Sequence, residues 1–218
     1  KEEKSYSMTF GIDFGRQINN KLFRFSFSGF YNRLNDVFTL DEVESDKNYM
    51  VMERFNSDGA KVFGIELESG FKIADTFEIF TGWTFQRNEY DTPEPDFDSK
   101  KMFKTPELYG SLRIEWNIQN FLSINTEMTY TGSMKIPHYA GFISDDILEE
   151  SDPFVVINMS LNKKIILSKI QSITLTASAL NIFDDFQKDL DKGVYRDAGY
   201  IYGPRFPRTF RLGIKYNF

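Results

Sequence analysis

Apolar and polar residues alternate one by one along most of the chain, and this period of two is its dominant pattern. From Tyr6 to Phe14 every second residue is large and apolar, with small or polar residues between. Strict alternation is typical of a β-strand with one apolar face. The pattern recurs, so the sequence predicts nine strands. Their apolar positions begin near Tyr6, Phe23, Phe63, Phe77, Leu108, Leu122, Val155, Ile173 and Phe210.

The connections between the predicted strands are alternately short and long. Short turns are predicted near residues 17–20, 74–76, 118–120 and 168–171, and long loops near 41–47, 91–103, 134–152 and 184–205. The second strand is expected to extend toward Leu40, and the third to begin near Asn48 with a bulge at Ser57-Asp58-Gly59. Short turns at one edge and long loops at the other are typical of outer-membrane β-barrels.

The two predicted faces differ in chemistry, which leaves two fold classes open. One face is aromatic and aliphatic. The other carries Arg24, Glu66, Glu68, Arg113, Glu115, Arg211 and Lys215. A soluble β-sandwich would bury the apolar face, whereas a membrane barrel would turn it to lipid. Strands of about 12 residues exceed the usual globular length of about 5–6. The sequence therefore predicts an all-β transmembrane antiparallel β-barrel, with Trp83, Trp116, Phe121 and Tyr130 in its interfacial aromatic girdles.

Composition narrows the function classes. No apolar run approaches the roughly 18 residues of a membrane helix. Cysteine is absent and the net charge is -6, so a thiolate metal site is excluded and no basic patch for nucleic acid is indicated. Aromatic residues reach 17%, which suits a chain that crosses two membrane interfaces.

An odd number of strands is informative, because a closed bacterial barrel has an even number. If the last strand ends in the periplasm at Phe218, counting back places the start of the chain on the extracellular side. We therefore expect residues 1–218 to be the C-terminal portion of a larger barrel in the bacterial outer membrane, with its long loops extracellular.

Four segments resemble the TonB-dependent outer-membrane receptors. They are Ala60–Glu68, Ala179–Asp184, Tyr202–Pro204 with Pro207–Phe210, and the alternating end Phe210, Leu212, Ile214, Tyr216 and Phe218. The last is similar to the signal read by the barrel-assembly machinery. Residues 187–202 look most like receptors of the Bacteroidetes group.

The resemblance implies the C-terminal nine strands or so of a barrel of about 22 strands with a plugged lumen. Such receptors import a scarce, bulky nutrient such as an iron chelate, haem or cobalamin, using the TonB complex, which acts on a plug domain absent from this chain. The lumen-facing charges are then expected to meet the plug. A surface lipoprotein is a further possible partner. The alternative is a self-contained passive pore or small barrel enzyme, which would need an even strand number.

The long loops hold the candidate substrate contacts, because loops on a rigid scaffold commonly carry function. These candidates are His138, Tyr139, Tyr195, Arg196, Tyr200, Tyr202 and Arg205. His138 is the single histidine, and it is either a haem or catalytic group or an ordinary loop residue. Tyr202 and Pro204 would alternatively brace a loop. No catalytic residue, cofactor or metal is assigned.

An acidic group in the last loop leaves a further alternative open. Asp184, Asp185, Asp189, Asp191 and Asp197 have the oxygen ligands that calcium prefers. Their spacing does not match an EF-hand loop, and a solvated loop is the simpler interpretation.

Overall fold

The computed structural model describes residues 1–44 and 50–218, and their regular secondary structure is entirely β. Among these residues no helix is long and apolar enough to cross a membrane. The strands are β1 (Lys4–Ile18), β2 (Lys21–Asn35), β3 (Phe38–Glu44), β4 (Met50–Asn56), β5 (Ala60–Ile73), β6 (Phe77–Glu94), β7 (Ser99–Lys101), β8 (Leu108–Gln119), β9 (Leu122–Thr131), β10 (Lys135–His138), β11 (Ile147–Glu150), β12 (Phe154–Ile166), β13 (Ser172–Leu180) and β14 (Thr209–Asn217).

Nine long strands form one antiparallel sheet in the order β1-β2-β5-β6-β8-β9-β12-β13-β14, and β7 pairs with the far part of β6. The prediction of nine strands is confirmed. Neighbours in the sheet follow one another along the chain once the loop strands are set aside, so the sheet is an up-and-down meander. The sheet is open, since β1 and β14 are the two ends of the path.

Short and long connections alternate as predicted. Tight turns follow β1, β5, β8 and β12, whereas segments of a dozen or more residues follow β2, β6, β9 and β13. The first turn uses Asn19 with a φ of 52°, a left-handed conformation that asparagine tolerates better than most residues. All long loops therefore leave the sheet at the same edge, which we call the long-loop edge.

The first long loop departs from the prediction. The chain leaves the sheet at Asn35 and forms a separate hairpin in which Phe38–Glu44 pairs with Met50–Asn56. Ser57–Gly59 links this hairpin to β5, so the predicted bulge and the single long strand from Asn48 were wrong. Residues 41–44 of the predicted acidic loop lie in β3, and 45–49 lie outside the described residues. Alternation continues through the hairpin, and a period of two cannot distinguish a loop hairpin from a sheet strand.

Four smaller features also differ from the predictions. β6 continues to Glu94, four residues into the predicted loop, and β8 continues to Gln119 with an irregularity after Asn117. The third loop contains the β10–β11 hairpin, in which Lys135–His138 pairs with Ile147–Glu150. The last connection runs from 181 to 208, longer than predicted.

The strand register confirms the two predicted faces. Phe14 lies opposite Phe25, Leu112 opposite Met128, and Leu175 opposite Ile214, so the apolar positions of adjacent strands share one face. That face is open: Leu212 and Ile214 are 90% and 78% exposed. A soluble sandwich would cover such a surface, whereas a barrel wall turns it to lipid.

The polar positions share the opposite face, as predicted. Ser28 donates to Glu66 at 3.1 Å. Arg113 lies 3.8 Å from Glu78 and 3.6 Å from Glu115. These exposed pairs contribute little to stability in the isolated sheet.

Aromatic side chains lie toward both edges of the apolar face. Trp83 and Tyr130 approach to 5.8 Å between ring centroids near the long-loop edge, and Trp116 and Phe121 lie at the short-turn edge. Gly110 lies opposite both Trp83 and Tyr130, and a Cβ there would come within 2.6 Å of the indole. Glycine therefore lets the Trp83 ring lie across the neighbouring strand.

The buried apolar cluster of the described chain lies in the loops rather than in the sheet. Met134, Ile136 and Tyr200 form it, with Tyr202 packed against it. These residues come from the β10–β11 segment and from the connection before β14. The long-loop edge is therefore the part of the molecule that is packed like a globular protein.

Candidate functional site

The β10–β11 hairpin presents one side to the last long loop. Alternation along β10 places Met134, Ile136 and His138 on the buried side, and Ile136 is fully buried. Tyr200 from the 181–208 loop packs against this side. Two long loops that are far apart in sequence thus share one small core.

His138 is buried within this contact. Its Nδ1 lies 3.2 Å from Glu149 Oε1, and its Nε2 lies 2.9 Å from Asp191 Oδ2. The imidazole stacks on the Tyr200 ring with 3.7 Å between centroids and 14° between planes. A histidine that contacts a carboxylate through each nitrogen is well placed to hold a proton on both.

The two tyrosines extend the network by sharing carboxylates. The Tyr200 hydroxyl lies 2.8 Å from Glu149 and 3.0 Å from Asp189, and the Tyr202 hydroxyl donates to Asp189 at 2.6 Å. We call His138, Glu149, Asp189, Asp191, Tyr200 and Tyr202 the loop clamp. It joins the third and fourth long loops through side chains alone.

Gln187 fixes the backbone behind the clamp. Its side chain donates to the Tyr200 carbonyl at 3.1 Å and accepts from the backbone N–H of Tyr202 at 2.9 Å and of Gly203 at 3.2 Å. Gly203 is needed here because an added Cβ would lie 2.6 Å from Cζ of Phe154. The segment that resembles a family motif therefore packs the loop closely over the start of β12.

Asn181 anchors the other end of the same loop. It is buried, has a φ of 48°, and donates through Nδ2 to the carbonyls of Asp185 at 3.1 Å and Phe206 at 2.9 Å. Its Oδ1 accepts from the Asp185 backbone at 3.1 Å. These contacts give a physical reason for an asparagine at this motif position.

The environment of the clamp shifts the pKa values of its groups. Burial lowers the pKa of His138, but the hydrogen bonds to Asp191 and Glu149 outweigh this and raise it above the ordinary value. Burial and the hydrogen bonds to carboxylates raise the pKa values of Tyr200 and Tyr202, so both hydroxyls stay protonated. Burial opposes ionisation of Asp189, yet the two tyrosine hydroxyls hold its pKa below the ordinary value.

A cavity of about 580 Å³ opens between the first three long loops. Phe55, Tyr90 and Tyr139 line it, together with Pro93 and Pro95. Its acidic lining residues are Asp58, Glu94 and Asp96, and no lysine or arginine is among the residues that line it. Aromatic walls and carboxylates are compatible with a ligand that has an apolar face and hydrogen-bond donors.

The structure separates the predicted contact residues into two groups. His138, Tyr200 and Tyr202 come together in the clamp, where His138 and Tyr200 are buried. Tyr139 lines the cavity and is 40% exposed. Tyr195, Arg196 and Arg205 are exposed and lie apart from the clamp network; Arg196 donates to the Gly193 carbonyl at 2.9 Å. A role in substrate contact stays a prediction for all seven.

The aspartates of the last loop have separate tasks. Asp184 accepts the Arg208 backbone N–H at 2.8 Å, Asp185 that of Val155 at 2.7 Å, and Asp197 that of Gly199 at 2.6 Å. In the part of the chain that is described, no group of three or more His, Asp or Glu side chains is placed to hold a metal ion. Asp184, Asp185 and Asp197 therefore act as acceptors for backbone N–H groups, whereas Asp189 and Asp191 belong to the loop clamp.

Sequence reasoning missed the partners of His138. Glu149 and Asp191 lie 11 and 53 residues from it. The alternation of Met134, Ile136 and His138 was a usable signal for β10, but pairing across two loops has no local pattern. Gln187 was missed because a single glutamine in a polar loop looks like a solvated residue.

Comparison with known proteins identifies similar chains. The family model described as TonB dependent receptor-like, beta-barrel matches residues 1–182. No curated protein matches. The ferric-catecholate import receptor Fiu from E. coli K12 is 18% identical with a TM-score of 0.66, over 100% of this chain and 28% of that one.

Two further structures have the same fold. The ferric enterobactin receptor PfeA from Pseudomonas aeruginosa is 19% identical with a TM-score of 0.66, over 99% of this chain and 31% of that one. The copper transporter OprC is 15% identical with a TM-score of 0.67, over 100% of this chain and 32% of that one. The chain therefore spans about a third or less of the structures that it matches.

Proposed function

Because the chain belongs to the TonB-dependent receptor-like β-barrel family, we propose that it forms nine wall strands and four external loops of an outer-membrane importer. The importer takes up a scarce, bulky nutrient such as an iron chelate, haem or cobalamin. The family consists of transporters rather than enzymes, which argues against the small barrel enzyme. The match over residues 1–182 is the observation that carries the proposal.

The wall is proposed to be the C-terminal part of a plugged barrel of about 22 strands. The arrangement supports this, since nine strands correspond to about two fifths of a barrel of about 22 strands and the polar face offers charges to a plug. Arg113, with Glu78 and Glu115 nearby, is the clearest example. The TonB complex acts through the plug, and the assembly machinery reads the β14 end from Phe210 to Phe218.

The long-loop edge is proposed to face outward, with the short turns in the periplasm. The packing of the long-loop edge supports this, because the loop clamp holds the third and fourth long loops together as one rigid unit, which we call the rim. The cavity lies beside this rim. Tyr139 is the candidate that lines the cavity directly, and Tyr195, Arg196 and Arg205 remain available on the outer surface. His138, Tyr200 and Tyr202 hold the rim in shape.

Uptake measurements test the proposal. The gene is deleted in its own host, and uptake of labelled ferric siderophores, haem and cobalamin is compared with and without the gene on a plasmid. We expect gene-dependent uptake of one of them to disappear when TonB is also removed or the proton gradient is collapsed. Uptake that persists without TonB contradicts the proposal and indicates the passive pore.

A further inference from the structure

Arg87 is a charged residue on the lipid-facing side of β6. The register places it on the face of Phe77, Ile79, Trp83 and Phe85, and its partner on β5 is Phe63. The guanidinium is exposed, as are Phe63 at 36% and Phe85 at 43%. An arginine directly above exposed phenylalanines is placed where the membrane changes from hydrocarbon to headgroups.

On the neighbouring strands the residues of this face also change from aromatic to basic close to the position of Arg87. On the same face, Tyr31 is followed by Arg33 on β2, and Phe63 is preceded by Lys61 on β5. Lys61 and Lys101 both pair with Glu89, on either side of β6. We call Arg33, Lys61, Arg87 and Lys101 the basic band. It covers four adjacent strands beyond the apolar surface.

Ion pairs neutralise three members of the basic band but not Arg87. Arg33 contacts Asp91 at 2.5 Å, Lys61 contacts Glu89 at 3.1 Å, and Lys101 contacts Glu107 at 2.8 Å. Among the residues whose side chains the structure describes, 1–38, 51 and 53–218, no carboxylate forms a salt bridge with Arg87. The band therefore has one guanidinium in excess, and the side chains of Lys101 and Lys61 nearby are 55% and 36% exposed.

The height of the band fits the headgroup layer. Arg87 lies two residues beyond Phe85, the last aromatic residue on its face of β6, which corresponds to about 7 Å along the strand and roughly 5 Å along the membrane normal at a tilt of about 40°. Lys61 and Lys101 lie level with Glu89, two residues farther from the apolar surface, so their long side chains bend back to reach the same layer. The polar layer on each side of a bilayer is roughly 5–8 Å thick, and an arginine side chain can bend toward it. Phosphate is the anion of that layer, and a planar guanidinium binds it through two hydrogen bonds.

We propose that Arg87, with Lys61 and Lys101, binds the phosphate of a membrane-lipid headgroup on the long-loop side of the bilayer. Glu89, between the two lysines, limits the excess charge, so the site suits one phosphate rather than a polyanion. The inference rests on the proposed membrane placement of the wall. It does not depend on transport, because lipid binding is measured without it.

The test uses the full-length receptor in neutral detergent micelles. Native mass spectrometry measures its binding of phosphatidic acid and of diacylglycerol with the same acyl chains, which differ only in the phosphate. We expect phosphatidic acid to be preferred and Arg87→Gln to weaken its binding about tenfold, as expected for the loss of a charge-assisted contact. Arg87→Lys should restore part of the affinity.

Arg113→Gln is the matched control, since Arg113 lies on the polar face. It should bind phosphatidic acid like the wild type. Equal weakening by both substitutions, or equal binding of diacylglycerol, overturns the proposal. Competition by millimolar inorganic phosphate would show a free-phosphate site and also overturn it. A receptor that fails to import any nutrient yet shows the Arg87-dependent preference disproves the proposed function alone.

Discussion

Replacing His138 by alanine tests the loop clamp directly. The Asp191 side chain is only 2% exposed. Without His138 this buried carboxylate loses its cationic partner and keeps the hydrogen bond that it accepts from the Asp197 backbone N–H at 3.0 Å. Removing one member of a buried charged pair costs about 3–5 kcal/mol, and the lost stack on Tyr200 adds about 0.5–1.5 kcal/mol. Glu149 is 38% exposed, so its lost contact adds little. We expect the free energy of opening the two loops to fall by about 3.5–6.5 kcal/mol.

The same residue makes the clamp dependent on pH. The folded pKa of His138 is raised above its unfolded value of about 6.5, so its contribution is complete below that value. The contribution is lost as the pH rises through the folded pKa. The clamp should therefore be tighter in mildly acidic than in alkaline medium.

Hydrogen exchange measured by mass spectrometry gives the opening free energy locally. The full-length receptor is compared with His138→Ala and with Arg196→Ala, a control in an exposed part of the same loop. Peptides covering 134–151 and 186–204 report on the clamp between about pH 5.5 and 8.5, after correction for intrinsic exchange. The alanine variant should lose protection in both peptides and lose its pH dependence.

Two outcomes would refute this reasoning. One is equal protection in His138→Ala and Arg196→Ala, which would mean that the buried pair contributes nothing to loop closure. The other is a pH dependence that persists unchanged without the imidazole. In that case another group would control the loops.

Three further substitutions address the faces and the loop anchors. Met128→Arg should destabilise the barrel in lipid vesicles by about 2–4 kcal/mol, measured by urea unfolding, whereas Thr129→Arg on the polar face should be mild; equal costs would contradict the face assignment. Gly203→Ala should cost about 1–3 kcal/mol through overlap with Phe154, seen as faster protease nicking of the last loop; unchanged nicking would mean that the ring moves freely. Asn181→Ala should cost about 2–4 kcal/mol by losing three partly buried hydrogen bonds and a favourable left-handed residue, and wild-type exchange rates in residues 181–186 would argue against this.

The sheet could be predicted from the sequence because each strand has its own evidence. Successive side chains of a strand point to opposite faces, whatever the rest of the chain does. In β13 the apolar residues from Ile173 to Ala179 therefore lie on one face, and the polar residues from Thr174 to Ser178 lie on the other. The meander then follows from short turns, since strands joined by a few residues pair with each other.

The loops could not be predicted to the same extent because their structure depends on distant partners. The β3–β4 hairpin has the same alternation as the sheet, and only its pairing shows that it leaves the sheet at Asn35. His138 was singled out because it is the only histidine, but its two carboxylates lie in different parts of the chain. Burial of Ile136 and Tyr200 likewise arises from contact between loops, which local patterns do not encode.

The packing of the loop clamp also determines which residues of the long loops are accessible to other molecules. Val194 and Tyr195 are 87% and 76% exposed at the tip of the last loop, whereas Ile136, His138 and Tyr200 are shielded beneath it. With the proposed outward orientation of the long-loop edge, an antibody or a phage that approaches the cell can contact this tip but not the side chains buried beneath it. Substitutions at the tip leave the buried contacts untouched, so the surface can change its antigenic identity while the rim beneath it keeps its shape.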